Sequence, residues 1–201
     1  MNFDKRRSSS TDKIKIGKRI AIIGPMASGK SALAVKLGRN LQLPVYHLDQ
    51  LRFFSGTFWQ PKPEEEFQEL HGEILSQDLW IMEGNYRESL PSRLSRATDV
   101  IWLNPPIWRC IVNFYKRFFR KNRQHNSYPG KLQNAQEKFT IGQLKYIFIH
   151  KFHRKNFELL IEKYFCGQLI HLTDFNDIQI FSQGINPTEN ISKQSKRIEL
   201  S

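Results

Sequence analysis

The chain has 201 residues, 39% of them hydrophobic and 25% charged, which is enough for one good core and ordinary for a globular domain. No apolar run approaches the ~20 residues of a membrane span, so no membrane partner is expected; two cysteines, Cys110 and Cys166, are too few for a disulfide framework or a zinc site, and a reducing, cytoplasmic setting is the default. The net charge of +12 attracts polyanions, a class that holds nucleotides, nucleic acids and anionic surfaces alike.

Residues 1–17 are basic, lack the apolar core of a secretory signal, and are expected to form a disordered tail. A short buried strand is predicted at 19–23 and the start of a helix at 32–37. Between them lies Gly24-Pro25-Met26-Ala27-Ser28-Gly29-Lys30-Ser31, which matches G-x-x-x-x-G-K-[ST], the phosphate-binding P-loop, in the strand–loop–helix setting that the motif requires. Gly24 and Gly29 permit backbone angles that a Cβ would forbid, so successive N–H groups can line an anion-sized nest at a helix N-terminus. Lys30 supplies the point charge for the β- and γ-phosphates, the Ser31 hydroxyl is a Mg²⁺ ligand by type, and Ala32 carries the next amide in the cradle. ATP and Mg²⁺ are the expected cofactors.

A second strand is predicted at 43–49, ending in Asp49 and so placing a carboxylate at the carboxyl edge of a parallel sheet, where open α/β sheets bind ligands. His47 in that apolar run reads as a packed strand residue. Residues 50–63 are irregular and aromatic, with Phe53, Phe54, Phe58 and Trp59, and either lie buried under a neighbour or line a pocket. Pro63 followed by Glu64, Glu65 and Glu66 starts a helix whose apolar stripe is Phe67, Leu70, Ile74 and Leu75. A third buried strand at 80–83 ends in Glu83, a carboxylate able to hold the water shell of Mg²⁺, and Arg87 follows within reach of a phosphate. Residues 88–96 read as helix and 99–103 as a fourth strand. From Pro106 a long helix carries apolar residues and ends basic, with Lys116, Arg117, Arg120, Lys121 and Arg123. Residues 124–138 read as a loop broken at Tyr128-Pro129-Gly130, more helix contains Arg154, a fifth strand is predicted at 168–173, and the chain from 187 on is polar and expected to be disordered.

Strands alternating with helices predict an α/β fold, a five-stranded parallel sheet covered by helices on both faces. The order of the pieces resembles the nucleoside-monophosphate-kinase branch of the P-loop NTPase fold, and within it the adenylate-kinase-related topology modulation proteins. The residues that carry the resemblance are the P-loop, Tyr46-His47-Leu48-Asp49 with the aromatic loop and Trp59 after it, Glu83-Gly84-Asn85-Tyr86-Arg87, and the Pro106 helix with its arginines. It implies a kinase-like domain over 18–185, an acceptor-binding insertion at about 50–78, a helical lid at about 120–140 and a polar tail over 186–201. It also implies the Mg²⁺-water role for Glu83 and a phosphate role for Arg87. Of the two lid arginines in that group, Arg117 matches the second, while Asn113 stands where the first belongs and Arg120 lies one turn beyond. Arg154 resembles a lid-closing arginine, and Arg52 is the nearest counterpart of the acceptor arginine.

The expected activity is therefore ATP-dependent phosphoryl transfer to an unidentified acceptor, a nucleotide or another small molecule. Asp49 fits several roles, as a base for a hydroxyl acceptor, an acceptor-orienting group, a group behind the Mg²⁺ or a structural cap. A different class of function is a nucleic-acid-associated nucleotide-binding protein. It would use the basic helix with its interleaved aromatics, Phe114, Tyr115, Phe118 and Phe119, although their helical spacing also suits a core.

Overall fold

The computed structural model describes residues 16–57, 59–123 and 154–185, with the backbone alone over 117–123. Five strands, β1 (Arg19–Ile23), β2 (Val45–His47), β3 (Trp80–Glu83), β4 (Asp99–Leu103) and β5 (Gln168–Leu172), form one sheet in the order β2-β3-β1-β4-β5, every pairing parallel. The helices are α1 (Lys30–Leu41), α2 (Leu48–Arg52), α3 (Glu64–Ser76), α4 (Leu90–Arg96), α5 (Ile107–Arg123), α6 over 154–164 and α7 (Phe175–Gly184).

β1, β3 and β4 read as near-continuous apolar runs because both faces of the sheet are covered there. Ile20 and Ile22 of β1 pack with Leu33, Ala34 and Leu37 of α1 and Phe181 of α7. Their neighbours Ala21 and Ile23 point the other way, into a second core that holds Ile74 of α3, Leu94 of α4, and Phe157 and Ile161 of α6. Helix ends follow local chemistry. Three glutamates occupy the first turn of α3, and α7 opens on a capping box in which Asp174 and Asp177 each satisfy the other's backbone. The chain leaves β3 and crosses past β1 to reach β4, so the carboxyl ends of β1 and β3 flank a point where the winding reverses. Such a point is where open α/β sheets hold ligands.

Two sequence expectations shift. The second strand ends at His47 rather than at Asp49, and the chain turns straight into α2. Leu48 is fully buried and packs into the second core beside Gly84, which draws the chain down into the layer under the sheet edge. Asp49 thus sits in the first turn of α2. The aromatic stretch after it is closed by an antiparallel bridge between Phe53 and Pro61, with Phe53 edge-on to Trp59 at 5.1 Å between centroids. Phe58, the expected lid at about 120–140 beyond its first residues, the expected tail at 186–201 and all but the last two residues of the expected tail at 1–17 lie outside the described residues. Of those two, Ile16 packs into the first core and Gly17 N–H donates to Asp99 Oδ2 at 2.8 Å, so the order begins before residue 18. Among the described residues, no helix is long and apolar enough to cross a membrane.

The buried line of α3 is Phe67, His71 and Ile74, with His71 taking a place that the spacing assigned to Leu70. His71 is only 2% exposed, stacks on Phe67 at 5.8 Å and has no hydrogen-bond partner for Nε2 among the described residues. Burial, with the Arg93 charge adding to it, lowers its pKa to about 4 from an ordinary 6.5. The unfolded chain therefore binds a proton between pH 6.5 and 4 that the native fold refuses, and stability falls as pH drops through that window. The expected loss from this group is at most about 3 kcal/mol by pH 4. His71→Leu should flatten that part of the profile in urea melts at pH 7.5 and pH 5, and an equally steep profile would show that another group is responsible.

Candidate active site

β1 ends in the fully buried Ile22 and Ile23, and the chain then makes the tight loop that ends at α1. Gly24 has φ 150°, and a Cβ there would run into the carbonyl oxygen of Leu103 on β4. Gly29, at φ 93°, is the N-cap of α1; its left-handed backbone strains any L side chain, and the space a Cβ would take is open. Ala27 is left-handed as well, at φ 60°. α1 has neither a side-chain cap nor an acid in its first turn. The N-terminus of α1 therefore suits an anion, in contrast with the acid-fronted α3 and α7. Lys30 arches back so that Nζ donates to the Pro25 carbonyl at 2.8 Å. The Ser28 hydroxyl is buried, with no hydrogen-bond partner among the described residues. Pro25, Met26 and Ser31 complete the predicted cradle, and Met26 and Ala27 pack on Cys110 and Phe114 of α5. This contact makes Phe114 a core residue, and burial lifts the Cys110 thiol to about 11.

Asn85, a residue given no role from the sequence alone, clasps the loop from the far side. Its Oδ1 accepts from Gly24 N–H at 3.1 Å, and its Nδ2 donates to the Gly24 carbonyl. Asn85→Leu removes both bonds, worth about 1–2 kcal/mol together, so nucleotide affinity should fall about tenfold. Titration with a fluorescent ATP analogue checks this, and unchanged affinity would mean that the loop keeps its shape unaided.

Glu83 ends β3 beside the loop. Its Oε1 accepts from the Ser31 hydroxyl at 2.9 Å and meets Nδ1 of His47 at 2.7 Å. Burial pushes this carboxyl up, but the His47 bond, the Lys30 charge and the Ser31 bond outweigh it and hold Glu83 below its usual value. Hydroxyl and ionised carboxylate are hard oxygen donors. Mg²⁺ takes one or two such groups, together with substrate phosphates and water. Among the described residues, no three His, Cys, Asp or Glu converge to hold a metal unaided. The Ser31–Glu83 pair therefore fits Mg²⁺ that arrives with a nucleotide.

Asp49 faces the same space from α2. Its Oδ1 accepts from the Tyr86 hydroxyl at 2.7 Å. Burial raises the Asp49 pKa, the Tyr86 bond works against that, and the nearby Glu83 charge adds to it, while Lys30 lies close enough to pull it down. Burial and Asp49 together push Tyr86 upward, so it remains a protonated donor. The arginines here are unequal. Arg93 is fully buried and gives its guanidinium to the carbonyls of Gly84 at 2.9 Å and Tyr86 at 3.0 Å, which fixes the turn after β3; burial lowers its pKa to about 10. Arg52 is bound to the Lys62 carbonyl at 2.8 Å and to Glu64 at 3.2 Å, and lies over the Phe67 ring. Arg87 is exposed on the loop after β3.

On the other side of the loop, α5 and the start of α7 enclose a cleft of about 240 Å³ lined by Trp108, Arg109, Val112, Asn113, Lys116 and Phe175. Arg109 closes one side through a 2.8 Å ion pair with Asp174. Asn113, in the place of the expected first lid arginine, reaches the Ala27 carbonyl at 3.5 Å and so braces the loop. Arg154, on α6, stands over the Trp102 ring at 5.9 Å and pairs with Glu158 at 3.1 Å. The backbone of Arg117 and Arg120 continues α5, and their side chains lie outside the description. Lys30, Ser31, Glu83 and Asp49 are thus gathered at one sheet edge, while Arg154 is engaged by Trp102 and Glu158.

No protein-family model matches the chain, and no curated protein matches it in sequence. Solved structures do. Shikimate kinase from Acinetobacter baumannii, in complex with shikimate, is 14% identical, with 96% of this chain and 100% of that chain covered and a TM-score of 0.53. Shikimate kinase from Bacteroides thetaiotaomicron is 17% identical, with coverages of 91% and 99% and a TM-score of 0.45. Deoxyadenosine kinase from M. mycoides is 11% identical, with coverages of 89% and 98% and a TM-score of 0.41. The chain shares its fold with the shikimate kinase from Acinetobacter baumannii, a five-stranded parallel sheet flanked by helices, here with the glycine loop after its central strand.

Proposed function

We propose that this protein is a Mg²⁺-dependent kinase that transfers the γ-phosphoryl group of ATP to a hydroxyl group of a small molecule. The observation that carries the reading is the placement of Asp49. A carboxylate beside Lys30 and Glu83 repels an acceptor that is itself a phosphate, but suits one that must lose a proton. In the proposed step the acceptor oxygen bonds to the γ-phosphorus, the bond from that phosphorus to the β–γ bridging oxygen breaks, and the hydroxyl proton passes to Asp49. The products are ADP and a phosphate monoester. Burial makes Asp49 a stronger proton acceptor than an ordinary aspartate, and Tyr86 holds it in place.

The N–H groups of the loop after Pro25, with Lys30, would hold the triphosphate, and Ser31 and Glu83 would hold the cation. Mg²⁺, when bound, neutralises charge on the phosphates. Because this transfer needs little covalent help from the protein, positioning and charge stabilisation are the main tasks. Arg87, Arg117, Arg120 and Arg154 are the candidates to stabilise the transferring group, and closure of the 120–140 segment would exclude water. The base is placed in the α5–α7 cleft beside the loop, where Trp108 and Phe175 offer apolar faces to stack on. The domain is proposed to span 18–185 with its acceptor-binding part at about 50–78. The narrower likeness to topology modulation proteins rests on the ordered motifs alone.

The exposed Trp108 and Tyr115 beside Lys116 on α5 also suit a nucleic-acid partner. Isotopically labelled ATP screened against pooled nucleosides, nucleotides, sugars, cyclic polyols and polynucleotides tests both readings. Label on an alcohol supports the kinase reading. Label on nucleotide monophosphates alone would overturn the hydroxyl acceptor, and salt-sensitive polynucleotide binding without transfer would favour the second reading.

A further inference from the structure

His47 closes β2, and the parallel register sets it directly beside Glu83 at the end of β3. It is 8% exposed, and its Nδ1 lies 2.7 Å from Glu83 Oε1. That oxygen already accepts the Ser31 hydroxyl proton at 2.9 Å. An ionised carboxylate can only accept, so both partners donate and Nδ1 of His47 carries a proton. Two donors on one oxygen fix the carboxylate in rotation. The Ser31 proton is turned toward Glu83, which leaves the lone pairs of Ser31 Oγ for a cation, and Glu83 Oε2 carries neither of these bonds. A packing residue would need no nitrogen at this position.

We propose that His47 is a positioning residue for the divalent cation, setting the orientation of Glu83 and, through it, of Ser31, so that the site binds Mg²⁺ in its nucleotide complex. This rests on the kinase reading above. It assigns to β2 a part in cation binding, beyond the two residues that would touch the cation and its water. The register makes the arrangement exact to one residue, because a slip would turn the His47 side chain to the opposite face.

The test is a Mg²⁺ titration of fluorescent ATP-analogue binding to the full chain, with a parallel titration in chelator. His47→Phe keeps a ring and removes the donor. The Mg²⁺ concentration for half-maximal effect should rise about 10–100-fold, while affinity in chelator stays within about twofold of the parent. His47→Asn places an amide nitrogen where Nδ1 stands and should restore most of the Mg²⁺ response, whereas His47→Gln places it where Nε2 stands and should not. The Asn and Gln pair decides the matter even if the Phe variant is poorly folded. An unchanged Mg²⁺ midpoint in the Phe variant, or equal behaviour of Asn and Gln, overturns the role of His47 and leaves the kinase reading intact. A parent protein that binds no nucleotide with or without Mg²⁺ overturns both.

Discussion

Lys30→Ala should reduce phosphoryl transfer about 10³-fold or more while the protein stays folded. The ammonium is the charge that meets the terminal phosphates, and a cationic group pre-placed on a transferring phosphoryl is worth on the order of 10³–10⁵ in rate in related chemistry. Lys30 is a shared centre here as well, because its field reaches Asp49, Glu83 and Cys110. Its Nζ rests on the Pro25 carbonyl at the edge of the loop rather than in either core, so its loss removes little packing. Transfer from labelled ATP and a thermal melt followed by circular dichroism check the two halves of the expectation. Unchanged turnover in a folded variant would remove the P-loop from the reaction.

Asp49→Asn should lower kcat by about 10²–10⁴-fold and leave the KM for ATP nearly as it was. The amide is the right shape, and its oxygen can still accept the Tyr86 hydroxyl, so the variant removes the proton-accepting charge without emptying the position. In the parent protein, kcat should fall as pH drops through the Asp49 pKa, with the acid limb above the ordinary aspartate range because burial raises that pKa. The limb should vanish from the residual activity of the variant. The opposite result is equally informative. If the acceptor were a phosphate, neutralising Asp49 would relieve repulsion, and the variant would turn over as fast as the parent or faster.

Much of the site was legible from local pattern. The P-loop announces itself because its chemistry is carried by eight consecutive residues, and the apolar runs around it can only be strands covered on both faces. Glu83 and Asp49 could be placed at the carboxyl edge from their positions after apolar runs. Asp49 nevertheless belongs to a helix, because the burial of Leu48 beside Gly84 ends β2 two residues early, and no local signal reports that contact. His71 had a signal in its spacing, four residues after Phe67 and three before Ile74, but a histidine at such a position reads as polar until its neighbours are known. His47, Asn85 and Tyr86 gained roles only from residues far along the chain, and Arg93 gained its role from the turn just before its own helix.

By itself the sequence determined that the chain folds as alternating strands and helices around an anion-binding loop, because periodicity and a contiguous motif are properties of neighbours in the chain. Tertiary structure alone decided which polar groups meet. Asn85 clasps Gly24 across 61 positions and His47 meets Glu83 across 36. Arg52 is held by Lys62 and Glu64 beside the Asp49 side, while Arg87 stays at the surface. The physical reason is that hydrogen bonds and charge pairs act over a few ångströms of space, and strand order and register, not separation along the chain, set which residues come that close.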